Sequence, residues 1–279
     1  MTSTFLVIGA STGLGRATAA SLARDHRVVT VGRHDGADVK ADLRDLGDIS
    51  RAAARLRELG PFAGIACNAG VQFAGAPKLT PSGIEETFAV NVLSHVALIA
   101  QLAPAKSTRI GFVGSGTLDP DDRGARRFGF RGGIYTDAKA IAAGTPDPAV
   151  SVEQNARDRY ATSKLCNLLT VRALAKRGVS AFAIDPGLMP GTGLARDHNA
   201  FLRFLWHTGL RVAAWFIPGA STAKRSGRAY ARALVNAEPG TYVDSRSRVV
   251  EIPAVARRDD RAEQLYAYCL ERAGVADPF

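Results

Sequence analysis

Cysteine is scarce in this 279-residue chain, and the three present, Cys67, Cys166 and Cys269, lie far apart with no Cys-x-x-Cys or Cys/His cluster. That spacing argues against a disulfide framework and against a structural zinc site, and no metal is expected. No apolar run reaches the ~18 residues that a membrane span needs. The opening residues, Met1-Thr-Ser-Thr-Phe5-Leu-Val-Ile8, have no basic stretch ahead of the apolar run. They do not read as a signal peptide, and a cytoplasmic location is the expectation. Runs of five or more basic residues are also missing, as are aromatics interleaved with basic residues. The formal charge of +10 therefore reads as a solvated arginine-rich surface, with attraction of an anionic cofactor or substrate as the functional alternative, and nucleic acid is not an expected partner.

What is present is a rhythm of short apolar runs and amphipathic segments. With 46% hydrophobic and 22% charged residues, the chain has ample material for a core. The pattern predicts strands at 5–8, 27–31, 37–41, 62–67, 109–113, 179–184 and 241–243. Helices are expected after Gly15 to about Asp25, then over 46–59, 83–102, 157–176, 221–235 and 259–271. Strands alternating with helices imply right-handed crossovers and a parallel sheet covered on both faces. The fold class read from this is α/β, a doubly wound parallel sheet in one domain spanning 1–279. The stretch from Thr117 to Asn155, rich in Gly, Asp, Arg and Pro, breaks the rhythm and reads as an inserted cap segment.

Gly9-xxx-Gly13-x-Gly15 falls between the first strand and the first helix. Glycines there let the backbone approach a pyrophosphate, while the helix N-terminus supplies N–H donors and the positive end of its dipole. Gly32-Arg33 follows the second strand, where an acid would accept from a ribose 2′-hydroxyl; an arginine suits a 2′-phosphate instead, so NADP(H) is expected over NAD(H). Two segments place a phenol and an ammonium one helical turn apart: Tyr160-Ala-Thr-Ser-Lys164 and Tyr135-Thr-Asp-Ala-Lys139. Either could be a proton-transfer pair, since a cation favours the phenolate of a group whose ordinary pKa is about 10.

Taken in order, the glycine loop, Asn68-Ala-Gly70, Asn91, Ser115, Tyr160-xxx-Lys164 and Pro186-Gly187 resemble the motifs of the short-chain dehydrogenase/reductases over nearly the whole chain. The segments Tyr160 to Asn167 and Pro186 to Leu194 are most similar to the protochlorophyllide reductase and retinol dehydrogenase branch. The resemblance implies a Rossmann fold and an oxidoreductase acting on CH–OH/C=O. In it, Ser115 holds the substrate carbonyl, Tyr160 transfers the proton, Lys164 lowers the Tyr160 pKa and holds the nicotinamide ribose, and Asn91 anchors a water. It implies a cofactor cleft formed by Gly9, Ser11, Thr12, Gly13, Leu14 and Gly15, by Arg33, by Asp42 and Leu43 at the adenine, and by Asn68, Ala69 and Gly70. Pro186, Gly187, Leu188 and Thr192 would complete it at the carboxamide.

The resemblance also selects Tyr160-Lys164 over the second pair. Tyr135-Lys139 runs into Gly144-Thr-Pro146-Asp-Pro148, which stops a helix, and Tyr135 is expected in a loop or at the surface. A lid is implied over about 190–218, where Phe201, Trp206 and Trp215 suggest a hydrophobic small-molecule substrate; membrane contact is not expected. Leu188 stands where protochlorophyllide reductases carry a cysteine, so a light-driven reaction on a chlorin is not expected. His95 and His207 read as packing or surface residues. The expected activity is NADPH-dependent reduction of a carbonyl to an alcohol, by a monomer or homodimer. The alternatives are reduction of an activated C=C bond and a non-catalytic NADP(H) sensor.

Overall fold

Alternation decides which way each apolar strand residue points. In β1 (Thr4–Ile8), Phe5 and Val7 enter one core, whereas Leu6 and Ile8 enter the other. A sheet apolar on both faces has to be covered on both. The computed structural model, which describes residues 2–189 and 220–279, shows that arrangement. The strands β2 (Arg27–Gly32), β3 (Val39–Lys40), β4 (Gly64–Cys67), β5 (Arg109–Val113), β6 (Ala181–Asp185), β7 (Tyr242–Asp244) and β8 (Val249–Val250) line up as 3-2-1-4-5-6-7-8. The first seven are parallel, and β8, which the sequence pattern did not reveal, pairs antiparallel with β7.

Helices α1 (Gly13–Leu22) and α8 (Ala223–Asn236) pack together on one face. The other face carries α2 (Leu46–Leu59), α4 (Ser94–Leu102), α7 (Val152–Lys176) and α9 (Asp259–Ala273). The helix expected over 83–102 is interrupted: a short α3 (Glu86–Phe88) leads into a π-helical turn, Ala89–Leu93, before α4 begins. Helix α7 starts five residues before its predicted first residue because the Ser151 hydroxyl caps it, accepting from Gln154 N at 3.1 Å.

The insertion is ordered along α7 and includes α5 (Arg123–Arg127) and α6 (Ala138–Ala143). Ile134 N donates to Thr162 Oγ1 at 3.0 Å, and Arg131 forks onto Asp158 with bonds of 2.7 to 3.1 Å. Tyr135 lies in a loop ahead of α6, one of the two expected settings, but not at the surface. It is buried, and its hydroxyl donates to Gln264 Oε1 on α9 at 2.9 Å, so packing against a distant helix overrides its local turn-rich surroundings. Among the described residues no helix is long and apolar enough to cross a membrane, and no cluster of His, Cys, Asp and Glu could hold a metal ion.

Candidate active site

The glycine loop is shaped by close approach. Gly9 (φ +86°) and Gly13 (φ +53°) adopt left-handed backbone. A Cβ on Gly15 would sit 2.1 Å from Gly9 O and 2.3 Å from Asn68 Nδ2, so no side chain fits there. Asn68 Nδ2 donates to Gly9 O at 2.7 Å and so ties the loop to the end of β4. Leu14 is buried, Ser11 and Thr12 are exposed, and Thr12 offers no side-chain cap to α1. Among the described residues the first-turn amides of α1 therefore meet no capping side chain, an arrangement that fits a pyrophosphate.

Arg33 is exposed just beyond β2. Asp42 is engaged by its neighbour: Arg44 Nε and Nη2 bond its two carboxylate oxygens at 2.6 to 3.1 Å, and this hydrogen bonding holds its carboxyl below the usual range. Leu43 is buried in the core, so its side chain supports this corner from beneath. Arg44 also reaches Glu86 at 3.4 Å, a link between the adenine end and α3 that no sequence spacing signalled.

The sites around Lys164 converge most closely. Lys164 is buried, and a Cβ on Gly70 would lie 3.6 Å from its Nζ and 3.5 Å from Asn91 Oδ1. Asn91, carried on the π-helical turn, accepts from Val71 N at 2.7 Å and donates to Val71 O at 3.0 Å and to Ser163 Oγ at 2.9 Å. Its own carbonyl accepts from His95 Nδ1 at 3.1 Å. His95 is fully buried against Phe112 and is held neutral, its pKa pushed down to about 3 chiefly by burial. A donating Nδ1–H follows from that neutrality and the carbonyl partner.

Lys164 Nζ donates to Val113 O at 3.4 Å, an oxygen shared with Asn167 Nδ2 at 2.9 Å. Burial brings the ammonium down to about 8. Its nitrogen stands 5.5 Å from the centre of the Tyr160 ring. The implied lowering of Tyr160 by Lys164 is not what this arrangement supplies. Burial pushes the phenol above its ordinary value, and the Asp185 charge adds to the rise. Phe130 of the insertion also lies against Tyr160, ring centres 6.2 Å apart and the planes tilted by 53°. Ser115 opens a 3-10 turn, Gly116–Leu118, against which α7 packs; its Oγ accepts from Thr117 N at 3.2 Å and Thr117 Oγ1 at 3.0 Å.

Beyond β6, Ser226 Oγ donates to Pro186 O at 2.6 Å, Gly187 is left-handed (φ +71°), and Ser221 N donates to Leu188 O at 2.8 Å. Thr192, the lid over 190–218 and His207 lie outside the described residues. Sequence reasoning passed over Phe130, Ser163 and Asp185. Ser163 sat inside the Tyr160–Lys164 segment and could have been noticed, whereas Phe130 reaches Tyr160 from a stretch with no periodic pattern.

Comparison with known proteins bears on this geometry. Residues 3–117 match the family model described as short chain dehydrogenase. Protochlorophyllide reductase B of Oryza sativa subsp. japonica is 29% identical over 73% of this chain and 59% of its own length. The chain spans about three fifths of the length of the first curated relatives it matches. Among solved structures, the 3-alpha-hydroxysteroid dehydrogenase from Pseudomonas sp. B-0831 complexed with NADH is 27% identical, with a TM-score of 0.59, over 87% of this chain and 96% of that one. The NADPH-bound carbonyl reductase from chicken fatty liver is 16% identical, with a TM-score of 0.58, over 90% of this chain and 99% of that one, a likeness of fold.

Proposed function

Because the chain belongs to the short-chain dehydrogenase/reductase family, we propose that it is a nicotinamide-dependent oxidoreductase that uses NADPH to reduce a carbonyl of a hydrophobic small molecule. The observation that carries this reading is the meeting of three elements at a buried ammonium: Gly70 after β4, Asn91 on the π-helical turn and Lys164 on α7, one turn from Tyr160. A protein that only binds nucleotide has no use for that assembly.

The cofactor supplies the hydride when bound. Its phosphates would be held by the glycine loop and the amides of α1, and a 2′-phosphate by Arg33. Reduction also needs a proton at the developing alkoxide. Tyr160 is suited to deliver it because burial and Asp185 keep the phenol protonated. Ser115 would donate to the same oxygen, polarising it as charge builds. The proton that leaves Tyr160 is replaced by way of Lys164, which keeps its charge at neutral pH because its pKa remains at about 8. Phe130 presents an apolar ring beside the phenol, which supports a hydrophobic substrate.

The test is a carbonyl panel with NADPH consumption as the readout, run with wild type and Tyr160→Phe. Turnover confined to wild type, with NADPH binding equal in both, is the expected result. Comparable turnover in the variant would refute the assignment of Tyr160 as the proton donor.

A further inference from the structure

Asp185 is the last residue of β6, at the carboxyl edge of the parallel sheet where ligands of such folds bind. Its Oδ1 accepts from Gly187 N at 2.8 Å. The Gly116 backbone lies beside the same carboxyl, and its amide, like that of Gly187, favours the charged form. A Cβ on Gly116 would lie 3.7 Å from Asp185 Oδ2 and 2.7 Å from Asp122 Oδ2, so carboxylates from β6 and from the insertion flank that glycine. Gly116 directly follows Ser115, and Gly187 directly follows Pro186. Two loops from different strands therefore converge on one side chain.

We propose that Asp185 is a positioning residue, a clamp whose carboxylate holds the Ser115-Gly116 turn and the Pro186-Gly187 turn in register. The proposal rests on the reading above of Ser115 as a substrate contact and of the loop after Pro186 as a cofactor contact. A carboxylate that accepts from the amide of one turn and lies against the backbone of the other is well suited to the task, because charge-assisted bonds to an anion are about twice as strong as neutral ones.

The clamp is sensitive to pH. Burial raises the Asp185 carboxyl to about 6, against the pull of the two amides. Facing it are Asp122 from the insertion, Asp244 from the end of β7, the Tyr242 phenol from β7 and the Tyr160 phenol from α7. The two acids disfavour its negative charge. As pH falls through about 6 the carboxylate takes up a proton, becomes a weaker acceptor, and releases the two turns together.

Amide hydrogen exchange of the cofactor-free protein between pH 5 and 8, corrected for the intrinsic chemical rate and read at Gly116 and Gly187, tests this directly. Wild type is expected to lose protection at both amides, about tenfold, as pH drops through the Asp185 transition. Asp185→Asn keeps the shape but not the charge, so it should show the lower protection at both amides throughout and no transition. Protection that changes at Gly187 alone, or a wild-type profile flat across the range, would overturn the clamp. The wild-type titration involves no substitution, so misfolding of a variant cannot mimic the result. Exchange is read without turnover, so failure of the clamp and failure of the reductase reading are separate outcomes.

Discussion

Glu85 and Arg159 form an ion pair out of reach of water: Arg159 Nε lies 3.5 Å from Glu85 Oε1, with side chains 10% and 2% exposed. Arg159 immediately precedes Tyr160, and Glu85 begins α3, where its Oε2 accepts from Phe88 N at 2.9 Å. The pair thus ties the catalytic helix to the segment that leads to Asn91. It is imperfectly satisfied. Arg159 Nη2 reaches Gly75 O at 2.6 Å, but Nε and Nη1 have no hydrogen-bond partner among the described residues.

Removing one partner and replacing both should therefore have unequal consequences. Glu85→Ala leaves a buried guanidinium without its counter-charge and deletes a helix cap, a loss of about 3–5 kcal/mol. Arg159→Met combined with Glu85→Gln, which keeps an oxygen to cap α3, removes both charges, strands no ion and is expected within about 1 kcal/mol of wild type. Urea unfolding of the two variants measures the difference, and equal destabilisation would contradict it.

Asn91 offers a second contrast. Its side chain satisfies both Val71 N and Val71 O, whereas Ser163 supplies only one of its bonds. Asn91→Ala strands two backbone groups and should cost about 2–4 kcal/mol, against about 1 kcal/mol for Ser163→Ala. Chemical denaturation ranks them. A Ser163→Ala cost as large as that of Asn91→Ala would mean that the Val71 bonds contribute little.

The outline of this fold is legible in the sequence because its core signals are local. The predicted bounds of β5 and α2 coincide with those observed, since an apolar run and an Asp45-capped amphipathic repeat announce themselves within a few residues. The six ordered motifs likewise placed Gly70, Asn91 and Lys164, which the fold brings together. The misses share a cause. Tyr135 is buried by α9, Phe130 reaches Tyr160 from the insertion, and Asp185 meets Gly116 from another strand, all across sequence separations that no short pattern encodes. The π-helical turn was hidden for the opposite reason: an extra residue per turn leaves no break in a segment that is buried on all sides from Ala89 to Ala100.

Arg33 is exposed just beyond β2, near enough to Asp42 to favour that carboxylate but in no ion pair among the described residues, so its guanidinium is available to a phosphate. A charge-assisted bond of about 1.5–3 kcal/mol corresponds to roughly 10–100-fold in affinity. Arg33→Ala is expected to weaken NADPH by that factor and leave NADH nearly unchanged, as measured by fluorescence titration of each. Parallel changes for both would remove Arg33 from the phosphate site.

Lys164 carries the largest stability cost that the catalytic reading entails. Its displacement from 10.5 to about 8, at about 1.4 kcal/mol for each tenfold change in proton affinity, disfavours the native state by about 3 kcal/mol while the ammonium stays charged. The sign fixes the pH window. Below about pH 8 both native and unfolded chains hold the proton and the penalty is complete. Between 8 and 10.5 the unfolded chain binds more protons than the native one, so stability rises with pH as the penalty fades. Lys164→Met lacks the charge and leaves Val113 O still bonded by Asn167. The variant should therefore be inactive yet about 3 kcal/mol more stable than wild type at pH 7, an advantage that shrinks toward pH 10.5. Parallel denaturant titrations at pH 7 and 9.5 follow the gap directly, and a variant no more stable than wild type at pH 7 would show that this ammonium is not strained by burial.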